Sequence, residues 1–249
     1  MKINIRKILF LCIVAMSISF HGIGNVSAEP IYHEKYYPEG KGPFSAVIAL
    51  HTSGGFRTIG HLIQRYVDAG FAVYAPDFFI KHGITPRSRM TTFDEYREEI
   101  EKELSEIVEL MKTDPKIAKK NVFAVGYSNG GFWVCYLAGK GKVSAGVSFY
   151  GVWKANFGRE IRISPDDYFS KDSSPVLALH GDEDHTQKIG FAETVWDWIK
   201  DKSAKFETHV YEGADHGWDR QMSRRYEYNE EVDNDSHKRT IAFFKKHIR

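Results

Sequence analysis

The sequence has almost no excess charge of either sign and very little cysteine. Its 34 Lys and Arg residues nearly balance 33 Asp and Glu residues among 249 positions. Neither sign gathers into a stripe, so the composition disfavours nucleic acid or a charged membrane surface as a partner. Of the two cysteines, Cys12 lies in an N-terminal segment and Cys135 in an apolar stretch. We therefore predict no internal disulfide and a buried, inert thiol at Cys135.

The chain also lacks internal repeats, low-complexity runs and any linker that would divide it. With 42% hydrophobic residues, it has ample material for a large core. We predict one domain, residues 29–249, and the residues indicate no particular oligomeric state.

The N-terminus is set apart from that domain. Residues 1–28 combine a positively charged start, an apolar segment from Ile8 to Phe20 and a small-residue cleavage site, Val26-Ser27-Ala28. This order is typical of a secretory signal peptide. The apolar segment is shorter than the roughly 20 residues that a membrane-spanning helix needs. We predict export to the periplasm or the medium, a mature chain that starts at Glu29, and no stable membrane anchor after cleavage.

After this segment, apolar strands alternate with helical patterns. Such alternation requires crossover connections and predicts an α/β fold, a mostly parallel, doubly wound sheet with helices on both faces. In such a sheet, function lies beyond the carboxyl ends of the strands. The predicted strands lie at 44–50, 71–75, 122–125, 144–152, 175–181 and 206–211, with an edge strand within 31–42; the predicted helices lie at 59–67, 93–112, 131–138, 188–202 and 236–248.

One stretch, Asn121 to Ala138, reads as a buried strand, a sharp turn and an apolar helix. The turn carries Gly126, Ser128 and Gly130 in a Gly-x-Ser-x-Gly pattern, which predicts a nucleophile elbow that exposes the serine hydroxyl. The alternative is that Ser128 only caps the helix. The strand and helix on either side favour the elbow.

Two later strand exits carry groups that could activate a serine. The run His180 to His185 contains three acids and two histidines, and His216 lies between Gly213 and Gly217. A serine needs a base within hydrogen-bond reach, and the base needs an orienting carboxylate. The order serine, acid, histidine is that of an α/β-hydrolase, and it makes His216 the candidate base. The acid remains open among Asp182, Glu183 and Asp184.

The mature chain resembles the dienelactone hydrolase-like branch of the α/β-hydrolase family. The resemblance implies an α/β-hydrolase fold without a large cap domain, and an esterase or lactonase with Ser128 as nucleophile, Asp184 as acid and His216 as base. The family's acid lies three residues after the strand-terminal glycine, here Gly181. The matching stretches are GKGPFSAVIALHTSGG from Gly40, YAPDFF from Tyr74, GYSNGG from Gly126, LHGDED from Leu179 and YEGADHGW from Tyr211.

The chain departs from this family in two places. Dienelactone hydrolases proper have a cysteine at the elbow where this chain has Ser128, so their particular lactone substrate is not carried over. The N-terminal antiparallel strands are also abbreviated. We expect a small-molecule ester or lactone as substrate, with no cofactor and no resident metal.

The oxyanion hole is predicted from the loop His51 to Gly55, which follows the strand at 44–50. Its glycines permit a tight path that exposes backbone amides. We expect the two donors to be the N–H groups of Asn129 and Ser53, with Thr52 as the alternative to Ser53.

Three other functions are compatible with parts of this sequence. A serine peptidase could use the same fold, and a non-catalytic binding module could retain it. His51 and His180 are expected to support the core, and Asp77 its own loop. A group of aromatic residues either lines the acyl pocket or belongs to the core: Trp153, Phe157, Tyr168, Phe169 and Trp218. A metal hydrolase would draw its oxygen and nitrogen ligands from His180, Asp182, Asp184, His185, Asp215 and His216. Their order matches no recognised metal motif, and a metal site would leave the Ser128 elbow unexplained.

Overall fold

The computed structural model describes residues 30–153, 155–156, 162–221 and 223–249. The predicted signal peptide, the start of the mature chain at Glu29 and the candidate pocket residue Phe157 lie outside the described residues, and those predictions stand as made. Within the described ranges, no helix is long and apolar enough to cross a membrane.

Seven strands form one sheet, and six of them run parallel. The strands are β1 (His33–Tyr36), β2 (Phe44–Leu50), β3 (Ala72–Pro76), β4 (Ile117–Tyr127), β5 (Gly146–Phe149), the separate antiparallel pair β6 (Ala155–Asn156) and β7 (Arg162–Ile163), β8 (Val176–Gly181) and β9 (Phe206–Tyr211). In space the strands of the large sheet follow the order β1-β3-β2-β4-β5-β8-β9, with β1 as an antiparallel edge. The mostly parallel sheet predicted from the sequence is confirmed.

Helices cover both faces of this sheet, as a doubly wound fold requires. The helices are α1 (Gly60–Asp68), α2 (Arg97–Thr113), α3 (Asn129–Gly139), α4 (Ile189–Lys202) and α5 (Glu230–Lys246). Helices α1 and α5 pack on one face, and α2, α3 and α4 pack on the other. In the described parts of the chain no cap domain covers the sheet edge where β4 and β8 end.

The sequence of β2 shows why the strands of this sheet are continuous apolar runs. Ala46, Ile48 and Leu50 face the layer of α2 to α4, whereas Val47 and Ala49 face the layer of α1 and α5. All five are buried, so neither face can carry polar residues.

Helix α3 is buried along its whole length, which explains its apolar composition. Its Cys135 is fully buried, as predicted. Burial raises the pKa of this thiol well above its ordinary value.

Two helix starts differ from the sequence prediction by four or more residues. Helix α2 begins at Arg97, not at residue 93, because Arg89–Phe93 form a separate 3-10 turn. Helix α5 begins at Glu230, six residues before the predicted start. Its first turn is acidic and lacks the apolar spacing used for the prediction, although acidic residues suit the positive end of a helix dipole. The start is fixed by Asn229, whose side chain accepts a hydrogen bond from Val232 N at 3.1 Å.

We predict that Asn229→Ala lowers the free energy of unfolding by about 1 kcal/mol, the usual cost of losing a side-chain cap. Urea titration of the purified protein measures it. Lys188→Ala is the matched control, because Lys188 holds the same position before α4 but makes no side-chain cap hydrogen bond. Equal effects of the two substitutions would contradict the assigned cap.

Candidate active site

Ser128 occupies the turn between β4 and α3. Its backbone has φ 53° and ψ −109°, a sparsely populated conformation for a residue with a side chain. Its N–H donates to Phe149 O at 2.9 Å, and its carbonyl accepts from Gly131 N at 2.9 Å. These bonds hold the strained turn and direct the hydroxyl out of the sheet edge.

The glycines beside Ser128 are required by close backbone contacts. A Cβ on Gly126 would lie 2.2 Å from Gly130 O, and a Cβ on Gly130 would lie 2.3 Å from Leu50 O. No side chain fits at either position without moving backbone. The strand-turn-helix geometry predicted from this motif is therefore present.

Ser128, His216 and Asp184 form one hydrogen-bonded chain. His216 Nε2 lies 3.0 Å from Ser128 Oγ, and His216 Nδ1 lies 2.7 Å from Asp184 Oδ2. All three residues are buried. In this arrangement the imidazole can take the serine proton through Nε2 while the carboxylate fixes the tautomer through Nδ1.

Asp184 is held on both carboxylate oxygens. Oδ1 accepts from the backbone N–H groups of Thr186 at 2.8 Å and Gln187 at 2.6 Å, and Oδ2 faces His216. Burial on its own would raise the pKa of Asp184, but the hydrogen bond and charge interaction with His216 and the nearby His180 hold it below its ordinary value. Asp184 is therefore ionised at neutral pH and can orient the imidazole.

The other two acids of this loop point elsewhere. Asp182 is exposed and its Oδ1 accepts from Gly213 N at 2.7 Å, which ties the loop after β8 to the loop after β9. Glu183 is exposed. Of the three acids left open by the sequence, the structure brings Asp184 alone to His216.

The loop after β2 lies against the start of α3. The N–H of Thr52 donates to a neighbouring threonine hydroxyl at 3.2 Å, and those of Gly54 and Gly55 donate to Thr52 at 3.0 Å each. Within the described residues this leaves the amide of Ser53 without such a bond. The first N–H groups of a helix have no intrahelical acceptor.

The Asn129 side chain was missed as a structural link at the site. Its Nδ2 donates to Thr92 Oγ1 at 3.1 Å and lies 3.5 Å from Ser53 Oγ, while Oδ1 accepts from Trp133 Nε1 at 3.0 Å. It joins the loop after β2 to the 3-10 turn before α2. Thr92 is 37 residues away along the chain, and no local pattern connects the two.

The histidines and acids considered as metal ligands pair with one another or with backbone groups. His185 pairs with Asp215 through Nδ1 at 2.6 Å, and His180 Nε2 donates to Gln187 O at 2.7 Å. Burial lowers the pKa of His180, so it is neutral. Across the described ranges, no group of three or more His, Cys, Asp or Glu side chains could hold a metal ion.

His51 and Asp77 have the supporting positions expected of them. His51 is fully buried, its Nδ1 lies 2.8 Å from Thr52 O, and its ring stacks on Phe78 at 3.9 Å between centroids. Asp77 Oδ1 accepts from the amides of Phe79 and Ile80 at 3.0 and 3.2 Å.

A pocket of about 500 Å³ opens above Ser128 and His216. Two tyrosines, Tyr150 and Tyr226, contribute to its wall, and neither was a candidate. The candidates Trp153, Tyr168, Phe169 and Trp218 are buried in the core and do not line it, so the core alternative holds for these four residues.

The rest of the pocket wall is strongly cationic. Four arginines line it, and among the described residues no Asp or Glu is part of the lining. None of the four makes an ion pair with an acid in the described chain, so their charge is available to a ligand. They lie on the 3-10 turn before α2, 39 residues before Ser128, and on the loop after His216, and no local motif marks them as part of the site: Arg89, Arg220, Arg224 and Arg225.

Comparisons with known proteins agree with this architecture. The model of the dienelactone hydrolase family matches residues 32–248. A Synechocystis sp. protein that bears the name carboxymethylenebutenolidase is 24% identical over 224 residues, which cover 85% of this chain and 90% of the relative.

Two solved structures show the same fold at low identity. A protein titled as a dienelactone hydrolase from Klebsiella pneumoniae has a TM-score of 0.71 and 22% identity, covering 86% of this chain and 92% of that one. A thermophilic esterase from Thermogutta terrifontis, solved with propionate bound, has a TM-score of 0.68 and 14% identity, covering 86% and 88% of the two chains.

Proposed function

Since this chain belongs to the dienelactone hydrolase family and is an ester-cleaving hydrolase, we propose that it acts through a covalent acyl-enzyme on Ser128. The observation that carries the proposal is the continuous hydrogen-bonded chain from Ser128 Oγ through His216 to Asp184. A peptidase on the same fold would use the same three residues. Rates on ester and amide substrates distinguish the two activities.

In the first half of the reaction, Ser128 Oγ attacks the ester carbonyl while His216 Nε2 takes its proton. Asp184 keeps Nδ1 protonated and balances the imidazolium that forms. The carbonyl oxygen becomes an oxyanion, and we assign its two hydrogen bonds to the N–H groups of Asn129 and Ser53. The alternative donor Thr52 already uses its N–H within the loop.

The first oxyanion then collapses and breaks the bond to the alcohol oxygen, the imidazolium gives its proton to the leaving alkoxide, and Ser128 remains acylated. In the second half, water enters the pocket, and His216 takes a proton from it as it attacks the acyl carbon. Collapse of the second oxyanion releases the acid and returns the proton to Ser128. No other group is needed to balance either half.

The four arginines favour an ester or lactone that carries an anionic group. A guanidinium binds a carboxylate through charge-assisted hydrogen bonds, and the described part of the pocket lining holds no acid that would oppose it. Arg220 is the best placed of the four, because it is only half exposed and follows His216 by four residues.

We also propose that the enzyme is exported, on the basis of residues 1–28.

We predict that Ser128→Ala retains only residual esterase activity, about 10³- to 10⁴-fold above the uncatalysed rate. Initial rates on chromogenic esters measure the loss, and a fluorophosphonate should label the parent protein but not the variant. The parent should also keep its activity in a chelator. A variant that retains the parent rate would refute Ser128 as nucleophile.

The acid is tested by a matched pair in one loop. Asp184→Asn should lower kcat by about 10⁴-fold because the imidazole then takes the wrong tautomer. Asp182→Asn should have a mild effect, since Asp182 only ties two loops together. Circular dichroism checks that both variants fold. If Asp182→Asn proves the crippled enzyme, Asp184 is not the orienting acid.

Substrate charge is tested with two esters that differ only in a carboxylate on the acyl group. Arg220→Gln should raise KM for the anionic ester by about 10-fold or more, the value of a charge-assisted hydrogen bond, and leave the neutral ester nearly unchanged. Arg87→Gln, which removes an exposed arginine outside the pocket lining, is the control for net charge. Equal changes for both esters would contradict the anionic subsite.

A further inference from the structure

The imidazole of His216 contacts the rings of two tyrosines. The centroid of Tyr150 lies 4.7 Å from that of His216, and the centroid of Tyr226 lies 5.2 Å away. A cation that lies over the face of an aromatic ring, within about 6 Å of its centroid, is stabilised by the ring quadrupole. The proposed reaction makes His216 a cation twice, so a ring at this distance can act on the reaction itself.

Tyr150 is fixed more firmly than a core packing residue needs to be. Its N–H donates to Leu179 O at 2.7 Å, and its hydroxyl donates to the carboxylate of Asp219, which is itself buried. Its φ is +35°, and Ser128 is the only other non-glycine residue with positive φ in the described ranges. Such strain persists where the surroundings determine the conformation and is common at functional sites.

The two rings differ in their other neighbours. The guanidinium carbons of Arg220 and Arg225 lie 5.6 and 5.3 Å from the Tyr226 centroid, so that ring already faces two cations. Among the described residues, no Lys or Arg lies over Tyr150. Its hydroxyl also donates to a carboxylate, which makes the ring richer in electrons. Tyr150 is therefore the ring available to a cation on His216.

Other groups around His216 act on its charge as well. The acids favour the imidazolium, and the cations oppose it. The acids are Asp184 in the loop after β8, Asp215 with its partner His185, and Asp219 behind Tyr150. The cations are Arg220 and Arg225 beyond Tyr226, and His180 at the end of β8 is neutral.

We propose that Tyr150 is a positioning residue that stabilises the imidazolium form of His216 through its ring, with Asp219 holding the ring in place. The inference rests on the proposed role of His216 as the general base. It gives the buried pair Tyr150 and Asp219 a part in turnover, because removal of the ring makes His216 a weaker base.

The test is the acidic limb of kcat/KM against pH, which reports protonation of the essential base in the free enzyme. Tyr150→Leu removes the ring and should move this limb about 0.5 to 1 pH unit lower and reduce plateau kcat several-fold. Tyr150→Phe keeps the ring but loses its hydrogen bond to Asp219, so it should move the limb in the same direction by less than about half as much. Tyr66→Leu is the control, because Tyr66 is as buried and does not contact His216.

Fluorinated phenylalanines at position 150 give a test that does not depend on the Leu variant folding. Each added fluorine weakens the ring quadrupole with little change in size, so the acidic limb should move progressively lower from Phe to trifluoro-Phe. A limb that stays fixed across this series, or that moves higher because water enters beside His216, overturns the proposal.

A fluorophosphonate labelling step separates the two levels of inference. If Ser128 is labelled and the limb is unmoved by the series, only the role of Tyr150 fails. If Ser128 of the parent enzyme is not labelled, the proposed function fails and this inference fails with it.

Discussion

The close approach of α3 to the end of β2 is the constraint on which the site depends. Gly130 N donates to His51 O at 3.0 Å, and no atom larger than hydrogen fits between Gly130 and the Leu50 carbonyl. This contact places the first amides of α3 beside the loop after β2. It also forces the chain through the strained turn at Ser128, so one backbone contact positions both the nucleophile and the start of α3.

The parallel sheet supplies the rest. Because β4, β5 and β8 run in register in one direction, their exits bring Ser128, Tyr150 and the loop of Asp184 to the same edge. The loop after β9 then adds His216 from beyond β8. Four separate segments meet there, and backbone hydrogen bonds at Asp184 and Tyr150 hold the side chains that contact the imidazole.

The sequence predicted those features that depend on neighbouring residues. The elbow could be read from Gly126, Ser128 and Gly130, because strand, turn and helix lie within one short stretch. The parallel sheet followed from the alternation of strands and helices. The start of α5 was placed six residues late, because its first turn is fixed by the Asn229 cap and carries charge in place of an apolar pattern. Features made by distant segments were not found: the link from Asn129 to Thr92, the arginines of the pocket, and the contact of Tyr150 with His216.

The central claim is that Ser128 carries a covalent acyl group during turnover. Rapid acid quench of the enzyme during hydrolysis of a p-nitrophenyl ester, followed by intact-protein and peptide mass spectrometry, tests it directly. We expect a mass increase equal to the acyl group, located on the peptide that contains Ser128. If a burst of p-nitrophenol occurs while that peptide stays unmodified, or if the acyl group lies on another residue, the account is contradicted.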